Sequence, residues 1–261
     1  MITYNLLSKF PEIAHFCTSR EGGASVGNYA SFNLSPFSGD NPASFTENKN
    51  KLCHKLGIDT EKLIIPFQTH STEIREIDNA FFLFSPDEKK QYLHGVDALF
   101  TQFPEICLGI TTADCVPLLF FDPNKQVIAA AHAGWRGTCA RIAEKTILTL
   151  IAKYNCNPSD IRVVIGPSIS AKVYEVGNDV VENFKKAGFS ITDIIEKRGD
   201  SFFLDLWKAN QQSLEKVGVL TEHIEISGIC TFTEHERFFS ARRLGINSGR
   251  ILSGIILKSG E

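Results

Sequence analysis

Two apolar runs in the middle of the chain carry polar residues that a purely structural strand would not favour. The first, Thr111-Thr-Ala-Asp-Cys-Val-Pro-Leu-Leu-Phe-Phe-Asp, places Asp114 and Cys115 directly before an apolar stretch. The second, Val127-Ile-Ala-Ala-Ala-His-Ala-Gly-Trp-Arg-Gly-Thr, ends with His132 just ahead of a Gly-Trp-Arg-Gly loop. A cysteine among apolar residues is by default a packed small hydrophobe. Asp114 and Thr112 change that expectation, because burying polar side chains costs free energy unless each finds a partner. If the two runs are neighbouring strands, Cys115 and His132 meet at one end of a sheet. His70 is a third candidate, since Phe67-Gln-Thr-His-Ser-Thr-Glu turns abruptly polar after the buried-looking strand Leu63–Phe67. Two imidazoles and a thiolate from three separate elements make a three-ligand metal site with an open fourth position. Such a position lets a bound water ionise near neutral pH. The same residue types also allow a different chemistry, with Cys115 as nucleophile and His132 as base in a cysteine hydrolase or deamidase.

Three further segments offer binding groups. Gly134-Trp-Arg-Gly-Thr-Cys precedes a long helical pattern, so its backbone N–H groups and Arg136 could hold an anion; the plainer alternative is a surface arginine at a helix start. Ile165-Gly-Pro-Ser-Ile-Ser, with Tyr174-Glu-Val after it, ends a strand in a tight turn of the kind that carries ligands. Arg237-Phe-Phe-Ser-Ala-Arg-Arg joins aromatics to Arg237, Arg242 and Arg243, suited to a planar ring or an anion, or else to a salt-bridged strand.

The elements that must position these residues are legible in outline. Ser44 and Glu47 have the spacing of a capping box for a helix running to Leu56 and ending at Gly57. Strand-like runs follow at Glu73–Ile77, Ala98–Phe100, Ile106–Thr111, Val116–Phe121 and Val127–Ala131, the last two joined by an Asp122-Pro-Asn-Lys turn. Apolar spacing predicts one helix over Thr138–Tyr154. Beyond it come a strand at Ile161–Ile165, helices at Asp179–Ala187 and Leu206–Val217 (capped by Asp205), and strands at Ile224–Ser227 and Ile251–Leu257. Helices and strands intermix with several adjacent strands, which points to an α+β or mixed α/β chain organised as one domain over residues 1–261.

Composition narrows the function classes. The 261 residues are 43% hydrophobic and 22% charged, ordinary for a globular protein. With 27 Lys+Arg against 30 Asp+Glu, the net charge of −3 argues against a nucleic-acid or anionic-membrane partner. The longest apolar stretches are interrupted by polar residues, and Met1-Ile-Thr-Tyr does not start a signal peptide, so a cytoplasmic protein is expected. Seven cysteines without a C-x-x-C pair support neither a disulfide framework nor a zinc ribbon. The oligomeric state is not readable from one chain, and a monomer is plausible.

Taken together the motifs resemble one family. T-A-D-C-V-P-L, A-A-H-A-G-W-R-G, I-G-P-S-I-S…Y-E-V-G, D-L-W-K-A-N and C-T…R-F-F-S-A-R-R are similar to the bacterial YfiH/YlmD type, also called the multicopper polyphenol oxidoreductase or laccase-domain family. Arg20-Glu-Gly-Gly-Ala-Ser-Val-Gly-Asn-Tyr-Ala-Ser-Phe-Asn-Leu and Gly39-Asp40 fit its N-terminal signature, so the likeness covers nearly the whole chain. The resemblance implies a four-layer α/β/β/α fold with mixed sheets, grouped with the cytotoxic necrotizing factor catalytic domain. It implies a zinc site of His70, Cys115 and His132, donors that copper would also fit. It implies a purine nucleoside enzyme: phosphorolysis of adenosine, inosine and methylthioadenosine, and deamination of adenosine. On that reading Arg136, Arg242 or Arg243 would position phosphate, and Asp114, Glu175 or another nearby acid would protonate the leaving purine. An older family description is copper-dependent polyphenol oxidation, which seven scattered histidines and a single methionine support poorly. One departure is visible: Ser71 follows His70 where the family has glycine, which is expected to narrow the pocket or alter the loop.

Overall fold

Residues 1–259 are described by a computed structural model. Its strands in chain order are β1 (Ile13–Cys17), β2 (Leu63–Ile64), β3 (Glu73–Glu76), β4 (Val96–Thr101), β5 (Cys107–Thr112), β6 (Val116–Asp122) and β7 (Val127–Ala133). They continue with β8 (Arg162–Ile165), β9 (Glu175–Val176), β10 (Ile195–Arg198), β11 (Ser201–Leu204), β12 (Ile224–Ile226) and β13 (Ile251–Leu257). A six-stranded sheet has the order β12-β8-β6-β7-β4-β3 and a four-stranded sheet the order β1-β13-β5-β2; each mixes parallel and antiparallel pairs. A small antiparallel sheet, β10-β11-β9, stands apart.

Alternation along the strands explains the layering. In β6 and β7, Leu118, Phe120, Ala129 and Ala131 face one way, while Leu119, Phe121, Ile128 and Ala130 face the other. The first set packs under helices Ile142–Tyr154, Asn178–Lys186 and Leu206–Lys216. The second set meets Leu108, Ile110, Ile251 and Ile255 of the four-stranded sheet, forming a dry interior between the sheets. The far side of that smaller sheet, with Phe16, Cys107, Leu252 and Ile256, is covered by Leu52 and Cys53 of helix Pro42–Leu56. The result is the expected four-layer α/β/β/α arrangement. Strands buried on both faces read as continuous apolar runs, which is why their boundaries were visible in the sequence.

Two local expectations are corrected. Helix Pro42–Leu56 is not capped by Ser44: the Asn41 side chain accepts the Ala43 N–H at 2.8 Å, with Pro42 in the first turn. A complete capping box occurs instead at Ser85 and Glu88, at the start of helix Pro86–Tyr92. Replacing Asn41 with alanine is therefore expected to cost about 1 kcal/mol in urea unfolding, whereas Ser44→Ala should change stability by less than about 0.5 kcal/mol. The helix expected over Thr138–Tyr154 is two, Trp135–Cys139 and Ile142–Tyr154, separated by Arg141 in a left-handed conformation (φ 61°). Arg141 holds the break by donating to the Ala187 carbonyl and lying over the Phe189 ring. The long helix thus begins at Ile142, not at the Gly134–Gly137 loop, and no long-helix dipole points from that loop.

The chain crosses between the two large sheets at three places that matter below. Residues 65–72 lead from β2 to β3, residues 113–115 from β5 to β6, and residues 227–250 from β12 to β13. No helix among the described residues is long and apolar enough to cross a membrane.

Candidate metal centre

All three crossings open into one cleft of about 710 Å³. The first carries His70, the second carries Asp114 and Cys115, and the third carries Arg242 and Arg250; His132 enters from β7. The ligand atoms of His70, Cys115 and His132 all lie within 4.8 Å of one another. Cys115 Sγ is 3.8 Å from His70 Nε2, and the two imidazoles meet edge to face at 4.8 Å between centroids. His132 is buried, Cys115 is half-buried and His70 is exposed, so the cluster runs from the interior to the open cleft. The pairing of β6 with β7 brings the middle pair together, since Val116 lies opposite Ala133 and Pro117 opposite His132.

Each side chain is held by its own local device. His70 sits in a left-handed turn (φ 62°), a conformation in which histidine is enriched relative to most residues. Asp97, on β4, fixes that turn: its carboxylate accepts the N–H groups of Thr69, His70 and Ser71 and the Ser71 hydroxyl. The same carboxylate receives His132 Nδ1 at 2.7 Å, leaving Nε2 as the free ring nitrogen. Burial alone would raise the Asp97 carboxyl, but the His132 and Ser71 contacts outweigh it and hold the group below the usual carboxylate range. Gln68 anchors the loop's other side through two hydrogen bonds of 2.9 Å to the backbone of Thr111.

Asp114 is also left-handed (φ 83°). Its carboxylate accepts the Thr231 and Ser240 hydroxyls and the Arg242 N–H, tying the second crossing to the third. Three donors occupy the group, so its position is that of a brace beside Cys115. Burial would push the Cys115 thiol up, yet the adjacent His132 and His70 imidazoles bring it down; His132 rises against its own burial because Cys115 and Asp97 face it. A thiolate–imidazolium pair is the state these neighbours favour.

Whether the triad fits a metal can be judged from the space around it. Gly134 lies against the cluster, and a Cβ there would stand 2.8 Å from His70 Cδ2 and 2.9 Å from Cys115 Sγ. A thiolate, two imidazoles, a carboxylate orienting one of them, and a glycine leaving room for the others together form a donor set suited to a divalent transition metal. Among the described residues this is the one such cluster of three or more donors. His15, His94 and His223 are engaged elsewhere, with the Tyr4 N–H, the Phe67 ring and the Ser159 carbonyl.

The remaining expected site residues separate. Arg242 lines the cleft, lying over the Tyr174 ring and donating to the Glu175 carbonyl. Arg243 does not: it donates to the Phe232 carbonyl and stacks on that ring. Arg136 is exposed and folds back over Trp135. The Glu175 carboxylate accepts the Ser201 hydroxyl at 2.6 Å at the edge of the small sheet and does not line the cleft. Arg237 pairs with Glu234 in a turn, not in a salt-bridged strand. Ser71 directs its hydroxyl onto Asp97 and the Gly95 carbonyl and does not line the cleft, so its side chain ties the turn to β4. Asp97 and Arg250 were not anticipated. An aspartate inside Val96-Asp-Ala-Leu-Phe is the same signal that singled out Asp114, and it would have found Asp97.

Two stacked mixed sheets of the four-layer α/β/β/α class, with a His–Cys–His cluster at their crossings that could hold a metal ion, define the fold and the candidate site. The chain belongs to the multi-copper polyphenol oxidoreductase laccase family, whose description matches residues 14–258. It is 45% identical over 259 residues to a purine nucleoside phosphorylase of Bacteroides thetaiotaomicron, covering 98% of this chain and 96% of that one. It is 40% identical over 232 residues to adenosine deaminase RL5 of an unknown prokaryotic organism, covering 88% of each. Among solved structures, YlmD of Geobacillus stearothermophilus superposes with a TM-score of 0.90 at 30% identity, over 96% of this chain and 93% of that one.

Proposed function

We propose that this protein is a purine nucleoside enzyme that uses zinc held by His70, Cys115 and His132. Its reactions are phosphorolysis of adenosine, inosine and methylthioadenosine, and deamination of adenosine. The observation that carries this reading is the His–Cys–His cluster facing a cleft large enough for a nucleoside. Relatives named purine nucleoside phosphorylase and adenosine deaminase, matched over most of their length, support it. When bound, the metal would supply a Lewis acid that lowers the pKa of water toward neutrality.

The chain's own residues then divide the work. In deamination, water adds to C6 of adenosine, ammonia leaves with the proton that water gave up, and inosine remains; Asp97 keeps His132 oriented throughout. In phosphorolysis, a phosphate oxygen bonds to C1′ as the C1′–N9 bond breaks, the electron pair goes to the purine, and a proton completes the free base. Asp114 and Glu175 have their carboxylates committed to other partners, so neither is assigned as that acid. Tyr174 lines the cleft as a neutral donor, its phenol pushed up to about 12 by burial and by the nearby Cys115. The protein acts in the cytoplasm on small molecules, with no call on nucleic acid or membrane.

The test is zinc-loaded protein given adenosine with and without phosphate, products separated by chromatography. Adenine and ribose 1-phosphate are expected only with phosphate, and inosine in both cases. A protein that turns over no nucleoside, yet whose Cys115 is alkylated rapidly, would instead be a cysteine hydrolase, a reading that the lowered thiol favours.

A further inference from the structure

The cleft holds a second set of groups beside the triad, and their chemistry is that of an anion site. Arg250 lines the cleft and is largely buried, yet every hydrogen bond its guanidinium makes goes to the 246–249 segment: the carbonyls of Ile246, Ser248 and Gly249 and the Ser248 hydroxyl. Arg242, on the same wall, gives its guanidinium to the Glu175 carbonyl and the Tyr174 ring. Among the described residues neither is within ion-pair distance of a carboxylate, whereas the exposed Arg198 and Arg237 each have one. Arg250 is the largely buried one of the two, Arg242 being exposed at the mouth of the cleft. A buried cation without a counter-charge is costly, and this one stands where an anion entering the cleft can complete the pairing.

A third, neutral group points the same way. Thr112 is buried at the cleft, and its hydroxyl has no hydrogen-bond partner. Thr112 is paired across the sheet with Ile251, the residue after Arg250, and Thr112 and Arg250 both line the cleft. Guanidinium forks and a hydroxyl are the groups that recognise a tetrahedral oxyanion.

We propose that Arg250, Arg242 and Thr112 form the subsite for inorganic phosphate, one wall away from the His–Cys–His cluster. This rests on the phosphorylase reading and assigns its second substrate to residues other than Arg136 and Arg243, which turn away from the cleft. Phosphate held there enters the reaction as nucleophile: its oxygen forms the bond to C1′, and the glycosidic electron pair leaves with the purine.

The experiment titrates inorganic phosphate into the zinc-loaded protein by calorimetry, with wild type beside Arg242→Gln, Arg250→Lys and Thr112→Val. Phosphate affinity should fall at least about tenfold in each arginine variant and about threefold in Thr112→Val, each hydrogen bond to a charged group being worth roughly a factor of this size or more. The KM for phosphate should rise by more than the KM for nucleoside. Arg250 braces its own loop, so its variant is read only if its melting temperature without phosphate matches wild type. Thr112→Val removes no existing bond and keeps the test decisive if Arg250→Lys does not fold. Phosphate binding that is indifferent to Arg242→Gln and Thr112→Val overturns the proposal, as does binding that disappears from wild type with the metal alone. The two readings fail separately. Nucleoside turnover with variant-insensitive phosphate binding sinks the subsite, while variant-sensitive phosphate binding without turnover of any nucleoside leaves the subsite and sinks the phosphorylase.

Discussion

Replacing Cys115 with alanine is expected to take bound zinc from about one equivalent per chain to none retained through dialysis. Turnover of adenosine by either route should fall by on the order of a thousandfold or more. Cys115 would supply the anionic donor of the three, and the two imidazoles left behind include His70, whose side chain is exposed. Buried His132 keeps its 2.7 Å bond to Asp97, so the substitution leaves no orphaned charge inside the protein. Metal-free wild type and variant should therefore melt within a few degrees of each other, separating loss of the site from loss of the fold. Metal analysis beside product chromatography checks this. A variant that keeps its zinc, or loses it and still releases inosine at the wild-type rate, would remove the triad from the mechanism.

Gly134→Ala is the second large effect, and its cause is steric alone. The backbone at Gly134 has φ −68° and ψ 174°, which any residue adopts, so alanine meets no conformational penalty. Its methyl group would nevertheless stand 2.8 Å from His70 Cδ2 and 2.9 Å from Cys115 Sγ, closer than a methyl carbon approaches either carbon or sulfur without displacement. His70 is the ligand able to yield, and losing it from a three-donor set should weaken zinc binding by at least about a hundredfold. Competition against a chromophoric chelator measures the change, with the melting temperature of the metal-free form as control. Wild-type zinc affinity in this variant would mean that the three side chains do not converge as described.

The glycine also shows where sequence reasoning reached its limit. Gly134 was conspicuous in Gly-Trp-Arg-Gly, but as an anion-binding loop opening a long helix. Its role depends on His70 and Cys115, residues far away in sequence. The triad itself was legible because polar groups interrupt apolar strands, and the hairpin of β6 and β7 followed from its turn. Ile251–Leu257 has the expected limits. The small sheet was not seen, because β10 carries Glu196, Lys197 and Arg198 on an exposed strand with no apolar alternation to mark it. Arg242 and Arg243, adjacent in sequence, looked equivalent; a helical turn sends one into the cleft and the other onto Phe232. Arg250 lies among Asn247-Ser-Gly, with nothing local to distinguish it from a loop cation. The role proposed for it depends on the fold, which brings it to the cleft with Thr112.

Because the chain changes sheets at His70, at Cys115 and again ahead of Arg250, the proposed reaction centre is a joint between two slabs, with its parts bolted to different sides. The apolar layer of Leu119, Phe121, Ile110 and Ile251 is then the mortar that sets their alignment. A substitution there that lets one slab slide by a fraction of an ångström would misalign the chemistry before it unfolds the protein. Selection on this interior is thus selection on catalysis conducted at a distance, and tolerance to change should be narrower between the sheets than beneath the outer helices.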